Sequence, residues 1–203
     1  MSNIEIVSVH YKTPEYIYEQ YESVRKFYPS HKYRIIDGSD DKKKYFEDLE
    51  SKDPNFSVER MGYNIHHGPG MDYAIKTSKM DYLFIIDSDI SLIKPTIEKM
   101  MEVFKGYSVG LKLIMDSTGH EYYQKPERPK ENFIYEYIHP YCMLISKKRY
   151  LDFHPFIKHG SPCIRAMIDI HNKKKQEELV DFKIQDFINF KKRGTRNKWG
   201  LNI

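Results

Sequence analysis

The chain has 203 residues, of which 40% are hydrophobic and 31% charged, and its formal net charge is +4. Together with a mean hydropathy of −0.69, this balance excludes an intrinsically disordered chain. Positive charges nearly matched by negative ones also exclude the basic surface that is typical of nucleic-acid binding. No stretch approaches the ~18 apolar residues of a membrane-spanning helix, and the N-terminal segment lacks the features of a signal peptide. We therefore expect a soluble domain with no membrane span and no nucleic-acid partner.

The cysteine content bears on the compartment. Cys142 and Cys163 are the only cysteines, and they are too far apart in sequence to indicate a disulfide framework or a zinc site. A reducing, cytoplasmic environment is therefore the expected location.

Strands and helices alternate along the first 105 residues. Apolar or alternating runs predict strands at 4–9, 33–36, 56–61 and 82–86. Apolar spacing and turn signals predict helices at 15–28, 43–49, 71–78 and 95–104, with a glycine-rich loop at 66–70. This alternation indicates βαβ units and hence an α/β fold, a mostly parallel central sheet flanked by helices.

The second half of the chain is less regular. Its pattern predicts strands at 107–115, 141–146, 179–182 and 184–190, one helix at 161–172, and a loop-like tail at 193–199. Neither an internal repeat nor a low-complexity linker divides the sequence, so we expect a single domain over 1–203.

Asp87-Ser88-Asp89 directly follows the most apolar run of the chain, 82–86. Open α/β sheets bind their ligands at the carboxyl ends of the strands, so the position of this pair is more informative than its composition. Two carboxylates there would repel each other, and a divalent cation would relieve that repulsion. Oxygen ligands favour magnesium or manganese over zinc, and such an ion can bridge a nucleotide diphosphate. The alternative is that the two aspartates only cap a helix that follows them.

Two other strand ends and the glycine-rich loop carry candidate ligand contacts. Val9-His10-Tyr11 and Asp37-Gly38 end the first two predicted strands, where a ring could stack on a base and a carboxylate could accept its N–H. His67-Gly68 precedes a predicted helix, whose N–H groups could face phosphate or sugar hydroxyls. For Asp37 and for the glycine-rich loop, an ordinary turn is the alternative.

Taken together, this series of strand ends resembles the GT-A glycosyltransferases, especially the family 2-like group. The resemblance covers nearly the whole chain and implies a single GT-A domain, with a nucleotide-binding half at 1–105 and an acceptor-binding half at 106–203. It also implies a hexose moved from a nucleotide-diphosphate sugar, most commonly a UDP-sugar, to a hydroxyl of a glycan or glycoprotein acceptor. By the same resemblance Asp37 holds uracil, Asp87 contacts ribose or metal, and Asp89 ligates Mn²⁺ (or Mg²⁺). With the residues described above, the predicted nucleotide-sugar contacts are Val9, His10, Tyr11, Asp37, Gly38, His67, Gly68, Asp87, Ser88 and Arg193.

The sequence departs from the family pattern at the expected general base. The Glu-Asp pair that relatives often carry is absent, and Asp169 lies later than that pattern predicts. An inverting transfer needs a base for the acceptor hydroxyl, for which Asp169 is our candidate and Asp152 and His159 are the rivals.

A second departure concerns the metal and the diphosphate. Many relatives have a histidine ligand near the position of Asn189, where the asparagine offers a weaker oxygen ligand. Arg193 and Arg196 could clamp the diphosphate bidentately. The alternative for this segment is a basic tail exposed to solvent.

Three other functions are compatible with parts of the pattern. A haloacid-dehalogenase-like phosphatase would carry its Asp-x-Asp on the first strand, and a sugar nucleotidyltransferase would have a glycine-rich basic loop there, which 10–13 lacks. A non-catalytic nucleotide-sugar or glycan-binding module is the third. The lysine-, isoleucine- and tyrosine-rich composition also resembles glycosyltransferases encoded by large DNA viruses, for which the host cytoplasm would be the compartment.

Overall fold

A computed structural model describes residues 3–119, 134–157 and 160–191. The strands are β1 (Ile4–His10), β2 (Lys32–Asp37), β3 (Phe56–Arg60), β4 (Tyr82–Ile86), β5 (Ile90–Leu92), β6 (Ser108–Asp116), β7 (Ile134–Ser146), β8 (Leu179–Asp181) and β9 (Ile188–Phe190). The helices are α1 (Pro14–Phe27), α2 (Glu47–Lys52), α3 (His67–Thr77), α4 (Ile97–Glu102), α5 (Lys147–Tyr150) and α6 (Ile164–Asn172), with 3₁₀ turns at Gln176–Glu178 and Ile184–Asp186. Within these ranges no helix is long and apolar enough to cross a bilayer.

In the described part of the chain, seven strands form one sheet in the order β3-β2-β1-β4-β7-β6-β8. The first four strands of that order run parallel, whereas β7 is antiparallel to both β4 and β6. A short antiparallel pair, β5 with β9, forms a separate ribbon. The predicted α/β class and mostly parallel sheet are confirmed.

The hydrophobic core lies on both faces of the sheet. Because successive side chains of a strand project to opposite faces, Ile6 and Val7 of β1 enter two different buried clusters. Helices α3 and α6 contribute buried side chains to one cluster, and α1 and α4 to the other. The central strand β4 is covered on both sides, which explains why its last four residues are all buried and why its sequence is continuously apolar.

Several predicted boundaries differ from the structure. The strand predicted at 141–146 begins at Ile134, and neither β5 nor α5 was expected. The strand predicted over 184–190 is wrong in its first half, where Ile184–Asp186 is a 3₁₀ turn. This turn buries Ile184 and packs the rings of Phe182 and Phe187 together, with centroids 5.0 Å apart. Burial of a few side chains here outweighs the strand-like pattern.

Gly70 sets how closely α3 lies against β1. A Cβ atom added to Gly70 would lie 2.8 Å from Cγ1 of Val9, closer than packed carbon atoms approach. We expect Gly70→Ala to lower the free energy of unfolding by about 1–3 kcal/mol, the usual cost of overpacking, measured by urea denaturation. Val9→Ala in the same chain should recover part of that loss, and a Gly70→Ala variant as stable as wild type would contradict the close packing.

Candidate active site

The carboxyl ends of three neighbouring parallel strands meet at one edge of the sheet. β1 lies between β2 and β4, and the β1–β2 register pairs His10 with Asp37. β1 pairs with β4 up to Ile85, so the residues after Ile86 emerge beside the end of β1. The expectation that these strand ends are neighbours is confirmed, and this edge is where open α/β sheets bind ligands.

His10 and Asp37 form a buried pair at this edge. Nε2 of His10 accepts the N–H of Thr13 at 2.9 Å, so the ring proton sits on Nδ1 and is donated to Oδ1 of Asp37, also at 2.9 Å. The N–H of Ser39 donates to the same carboxylate oxygen. Burial alone would raise the pKa of Asp37, but these hydrogen bonds outweigh it and hold the pKa below its usual value. An ionised carboxylate thereby fixes the loops after β1 and β2.

The pairing of His10 with Asp37 limits which side chains at the end of β1 are exposed to contact a nucleotide base. The ring of His10 is fully buried with both nitrogens hydrogen-bonded, and only 2% of Asp37 is exposed. Tyr11 is a partly exposed ring at this edge, with its hydroxyl 3.4 Å from Oδ2 of Asp40. Of the two predicted rings, His10 and Tyr11, only Tyr11 has exposed surface. Its stacking on a base and the contact of Asp37 with a base both stay predictions.

Residues 87–89, which we call the aspartate turn, are held by backbone hydrogen bonds from three directions. The N–H of Asp87 donates to the carbonyl of Tyr141 on β7 at 2.7 Å, and the carbonyl of Asp87 accepts the N–H of Ile90 at 3.1 Å. The carbonyl of Asp89 accepts the N–H of Lys191 at 3.0 Å. The element that follows the turn is the strand β5 and not a helix, so helix capping does not explain these carboxylates.

His67 lies against the aspartate turn. Its Nε2 is 3.1 Å from Oδ1 of Asp87, and about a quarter of each side chain is exposed (25% and 26%). Burial alone would lower the pKa of His67, but the carboxylates of Asp87 and Asp89 more than compensate and raise the pKa above its ordinary value. The fold thus brings an imidazole from α3 to the two aspartates.

The predicted glycine-rich loop at 66–70 is wrong in form. His67 through Gly70 form the first turn of α3, with Gly68 and Gly70 buried. Pro69 is tolerated there because the first N–H groups of a helix have no partner within the helix. The sequence predicted a loop because glycine and proline disfavour a helix. In the first turn of a helix, where these residues lie, both are tolerated.

The β5–β9 ribbon places Asn189 near the aspartate turn. This asparagine is exposed and pairs in register with Ser91, one position from the pair formed by Ile90 and Phe190. Alternation along β9 places Asn189 on the opposite side from Phe190, whose ring centroid is 5.5 Å from that of Tyr141.

In the described ranges, no group of three or more His, Cys, Asp or Glu side chains is arranged to hold a metal. The predicted contacts Arg193 and Arg196 lie outside the described residues.

His139 belongs to this site, although sequence reasoning did not select it. Its Nδ1 accepts the N–H of Tyr141 at 3.2 Å, and its ring packs on that of Tyr141 with centroids 4.8 Å apart. Burial lowers the pKa of His139, while the charge of Asp87 raises it and that of His67 lowers it further. Aromatic rings at every second position from 135 to 141 were the signal that could have extended the predicted strand back to this histidine.

Asp169, the candidate base, lies on α6. Its Oδ2 accepts the backbone N–H of His154 at 3.1 Å and is 2.5 Å from Nδ1 of the same residue. Its rival Asp152 pairs with Arg149 on the surface, and His159 lies outside the described residues. The side-chain hydrogen bonds of Asp169 connect α6 to the segment after α5 and not to the aspartate turn.

Solved structures with this fold come from several enzymes that handle sugars. The chain is similar to S. aureus TarS 1–349 in complex with UDP, at 15% identity and a TM-score of 0.59, over 93% of this chain and 60% of that one. It is also similar to the galactosyltransferase LgtC in complex with donor and acceptor sugar analogues, at 13% identity and a TM-score of 0.54, over 89% of this chain and 74% of that one. A putative glucose-1-phosphate thymidylyltransferase from Bacillus anthracis matches at 14% identity and a TM-score of 0.51, over 88% of this chain and 86% of that one. At these identities the similarity establishes the fold alone, and this chain spans only about 60% of the TarS chain.

The fold is that of the GT-A glycosyltransferases. The chain belongs to glycosyl transferase family 2, whose sequence model matches residues 5–169. No curated protein sequence matches this chain. None of these similarities supports the viral origin that the composition suggested.

Proposed function

We propose that this glycosyltransferase moves a hexose from a UDP-sugar to a hydroxyl of a glycan or glycoprotein acceptor, with Mn²⁺ or Mg²⁺ at the aspartate turn. The observation that carries the proposal is the position of Asp87 and Asp89 at the carboxyl end of β4, next to the ends of β1 and β2. The UDP in the TarS complex and the donor analogue in the LgtC complex support the choice of donor class.

The donor groups at the turn suit a hard divalent cation. Asp87 and Asp89 are both partly exposed carboxylates, and Mg²⁺ is commonly bound through one or two carboxylates plus substrate phosphates. We propose these two residues as its protein ligands, with Asn189 as a candidate third. When bound, such an ion would stabilise charge that develops on the departing diphosphate.

Other residues around the turn have proposed roles toward the donor and the acceptor. Tyr11 stacks on the base beside Asp37, and His67 donates a hydrogen bond near the phosphates. Residues 1–105 form the half that binds the nucleotide, and 106–203 the half that binds the acceptor. In the transfer, the bond from C1 of the sugar to the diphosphate breaks, the acceptor oxygen bonds to C1, and its proton passes to a base.

A thermal-shift screen combined with UDP release tests this proposal directly. Purified protein is mixed with a panel of nucleotides and UDP-sugars, with Mn²⁺, with Mg²⁺ and with a chelator. We expect UDP and one or more UDP-sugars to raise the melting temperature more with metal than with chelator, and UDP to be released slowly by hydrolysis of the donor. If no UDP-sugar stabilises the protein in any of these conditions, the proposed donor is wrong.

The proposed role of Asp169 as the general base predicts a large fall in kcat when its carboxylate is removed. If the carboxylate of Asp169 takes the proton from the acceptor's hydroxyl, Asp169→Asn should lower kcat by about a hundredfold or more, the usual contribution of a general base. The affinity for UDP should be unchanged. Asp152→Asn tests the rival base in parallel, and we expect it to leave kcat unchanged because that carboxylate pairs with Arg149 at the surface. Equal kcat values for Asp169→Asn and wild type would remove Asp169 from the mechanism.

A non-catalytic nucleotide-sugar-binding module is the second candidate function. The observation in its favour is that the hydrogen bonds of Asp169 connect it to His154 and not to the aspartate turn. Binding of UDP without any donor hydrolysis or transfer, over a broad panel of acceptors, would favour this module over the enzyme.

A further inference from the structure

Gln20 is a fully buried polar residue on the face of α1 that packs against the aspartate turn. Its side-chain amide makes four hydrogen bonds. Its Nε2 donates to the carbonyl of Asp87 at 2.7 Å and to the carbonyl of Ile90 at 2.8 Å. Its Oε1 accepts the hydroxyls of Ser8 at 2.6 Å and Tyr33 at 2.5 Å. One side chain thus connects β1 and β2 to both ends of the turn that carries the carboxylates.

The orientation of this amide follows from the chemistry of its partners. Backbone carbonyls only accept hydrogen bonds, so the NH₂ group of Gln20 must face Asp87 and Ile90. The hydroxyls of Ser8 and Tyr33 can donate, and they face the amide oxygen. Both donors and the acceptor are therefore used, which a buried glutamine requires because an unpaired polar group in the interior is costly.

Two further side chains of α1 hold the segment that follows the turn. Oγ of Ser23 accepts the N–H of Leu92 at 3.0 Å. The hydroxyl of Tyr28, next to the last residue of α1, accepts the N–H groups of Thr96 at 2.5 Å and Ile97 at 2.8 Å, at the start of α4. The helix therefore fixes the chain from the aspartate turn to α4 at successive points, and Gln20 is the point that acts on the turn itself.

We propose that Gln20 is a positioning residue, which holds the backbone of the aspartate turn so that Asp87 and Asp89 meet the metal and the diphosphate together. The inference rests on the proposed metal-dependent binding of a UDP-sugar. The two carbonyls held by Gln20 belong to Asp87 and to the residue that follows Asp89, so its loss removes one hydrogen bond from each end of the turn. Groups that bind the base, such as Tyr11, lie on another loop and are not held by this amide.

The experiment measures how much Mn²⁺ tightens UDP binding. Calorimetry gives the Kd for UDP with Mn²⁺ and with a chelator, and the ratio of the two values isolates the contribution of the turn from that of the base pocket. Gln20→Glu keeps the length of the side chain but removes the two N–H donors, and Gln20→Met removes every polar contact. Val24→Ala is the control, because Val24 is buried one turn further along α1 and does not contact the aspartate turn through a side-chain hydrogen bond. All titrations are run well below the melting temperature of the least stable variant.

We expect the Mn²⁺-dependent gain to fall at least tenfold in Gln20→Glu and Gln20→Met, with UDP affinity in chelator little changed. Val24→Ala should lower the melting temperature and keep the gain of wild type. If a folded Gln20 variant keeps the full gain, or if Val24→Ala loses as much, the positioning role is overturned while the proposed function stands. If wild type itself binds UDP with no gain from Mn²⁺, the metal-dependent function fails, and the inference fails with it.

Discussion

Asp89→Ala is expected to lower kcat/KM for metal-dependent transfer by at least about a hundredfold. A metal ion supplies several kcal/mol of charge stabilisation in the transition state, and each 1.36 kcal/mol corresponds to a tenfold change in rate. Asp89 offers a partly exposed carboxylate on a turn whose backbone is held by the N–H of Lys191, the residue after β9, and alanine at this position supplies no ligand oxygen. Initial rates over a range of Mn²⁺ and donor concentrations measure the effect.

Asp81→Asn is the matched control for this substitution. Asp81 precedes β4, the strand that Asp89 follows, and its Oδ2 accepts a hydrogen bond from Nδ2 of Asn3 at the opposite edge of the sheet. Asp81→Asn removes one carboxylate from the other end of β4 and should leave kcat/KM unchanged. Asp89→Ala with wild-type activity and wild-type Mn²⁺ dependence would show that the metal, if any, binds elsewhere.

The sequence predicts the position of the aspartate turn well, and the reason is physical. A strand buried on both faces must be apolar throughout, so 82–86 is recognisable from composition alone, and the turn after it lies at the edge where ligands bind. The parallel neighbours of β4 follow from the alternation of strands and helices. Sequence therefore predicts the half of the site that is built from consecutive residues.

The other half of the site depends on contacts between distant residues, which a single sequence does not reveal. His67 meets Asp87 because α3 begins four residues earlier than predicted, and His139 is present because β7 begins seven residues earlier. Gln20 looks like an ordinary polar residue of an amphipathic helix, yet its four partners come from β1, β2, the aspartate turn and the start of β5. Such partners are fixed by the packing of α1 on the sheet and leave no local pattern.

Arg34 is a residue whose contribution to stability likewise depends on contacts with distant residues, which a single sequence does not reveal. It occupies the middle of the predicted strand 33–36 and is 6% exposed, although charged residues are rarely buried unless they are paired. Its guanidinium donates to Glu5 on β1 at 2.9 Å and to Glu59 on β3 at 2.8 Å. It also donates to Oγ1 of Thr77 at 2.8 Å and to the carbonyl of Ala74 at 2.7 Å, both on α3. One arginine thus connects three adjacent strands to the last turns of the helix that carries His67.

Arg34→Met is accordingly the substitution with the largest expected effect on stability. Removing one partner of a buried ion pair costs about 3–5 kcal/mol because the other charge is left unpaired, and here Glu5 is only 7% exposed. For a chain of this size that loss corresponds to a fall in melting temperature of roughly 10 °C. Urea and thermal unfolding measure it. UDP affinity at low temperature should stay near wild type, because Arg34 lies within β2 and not at its carboxyl end.

The double variant Glu5→Met/Arg34→Met separates the unpaired charge from lost packing. Replacing both members of a buried pair by apolar side chains is often neutral or stabilising, so the double variant should recover most of the loss seen in Arg34→Met. The side chain of Glu59 keeps contact with water in the double variant, because about a third of it (35%) is exposed. A double variant as unstable as Arg34→Met would mean that the hydrogen bonds to Thr77 and Ala74, and not the pairing with Glu5, hold α3 against the sheet.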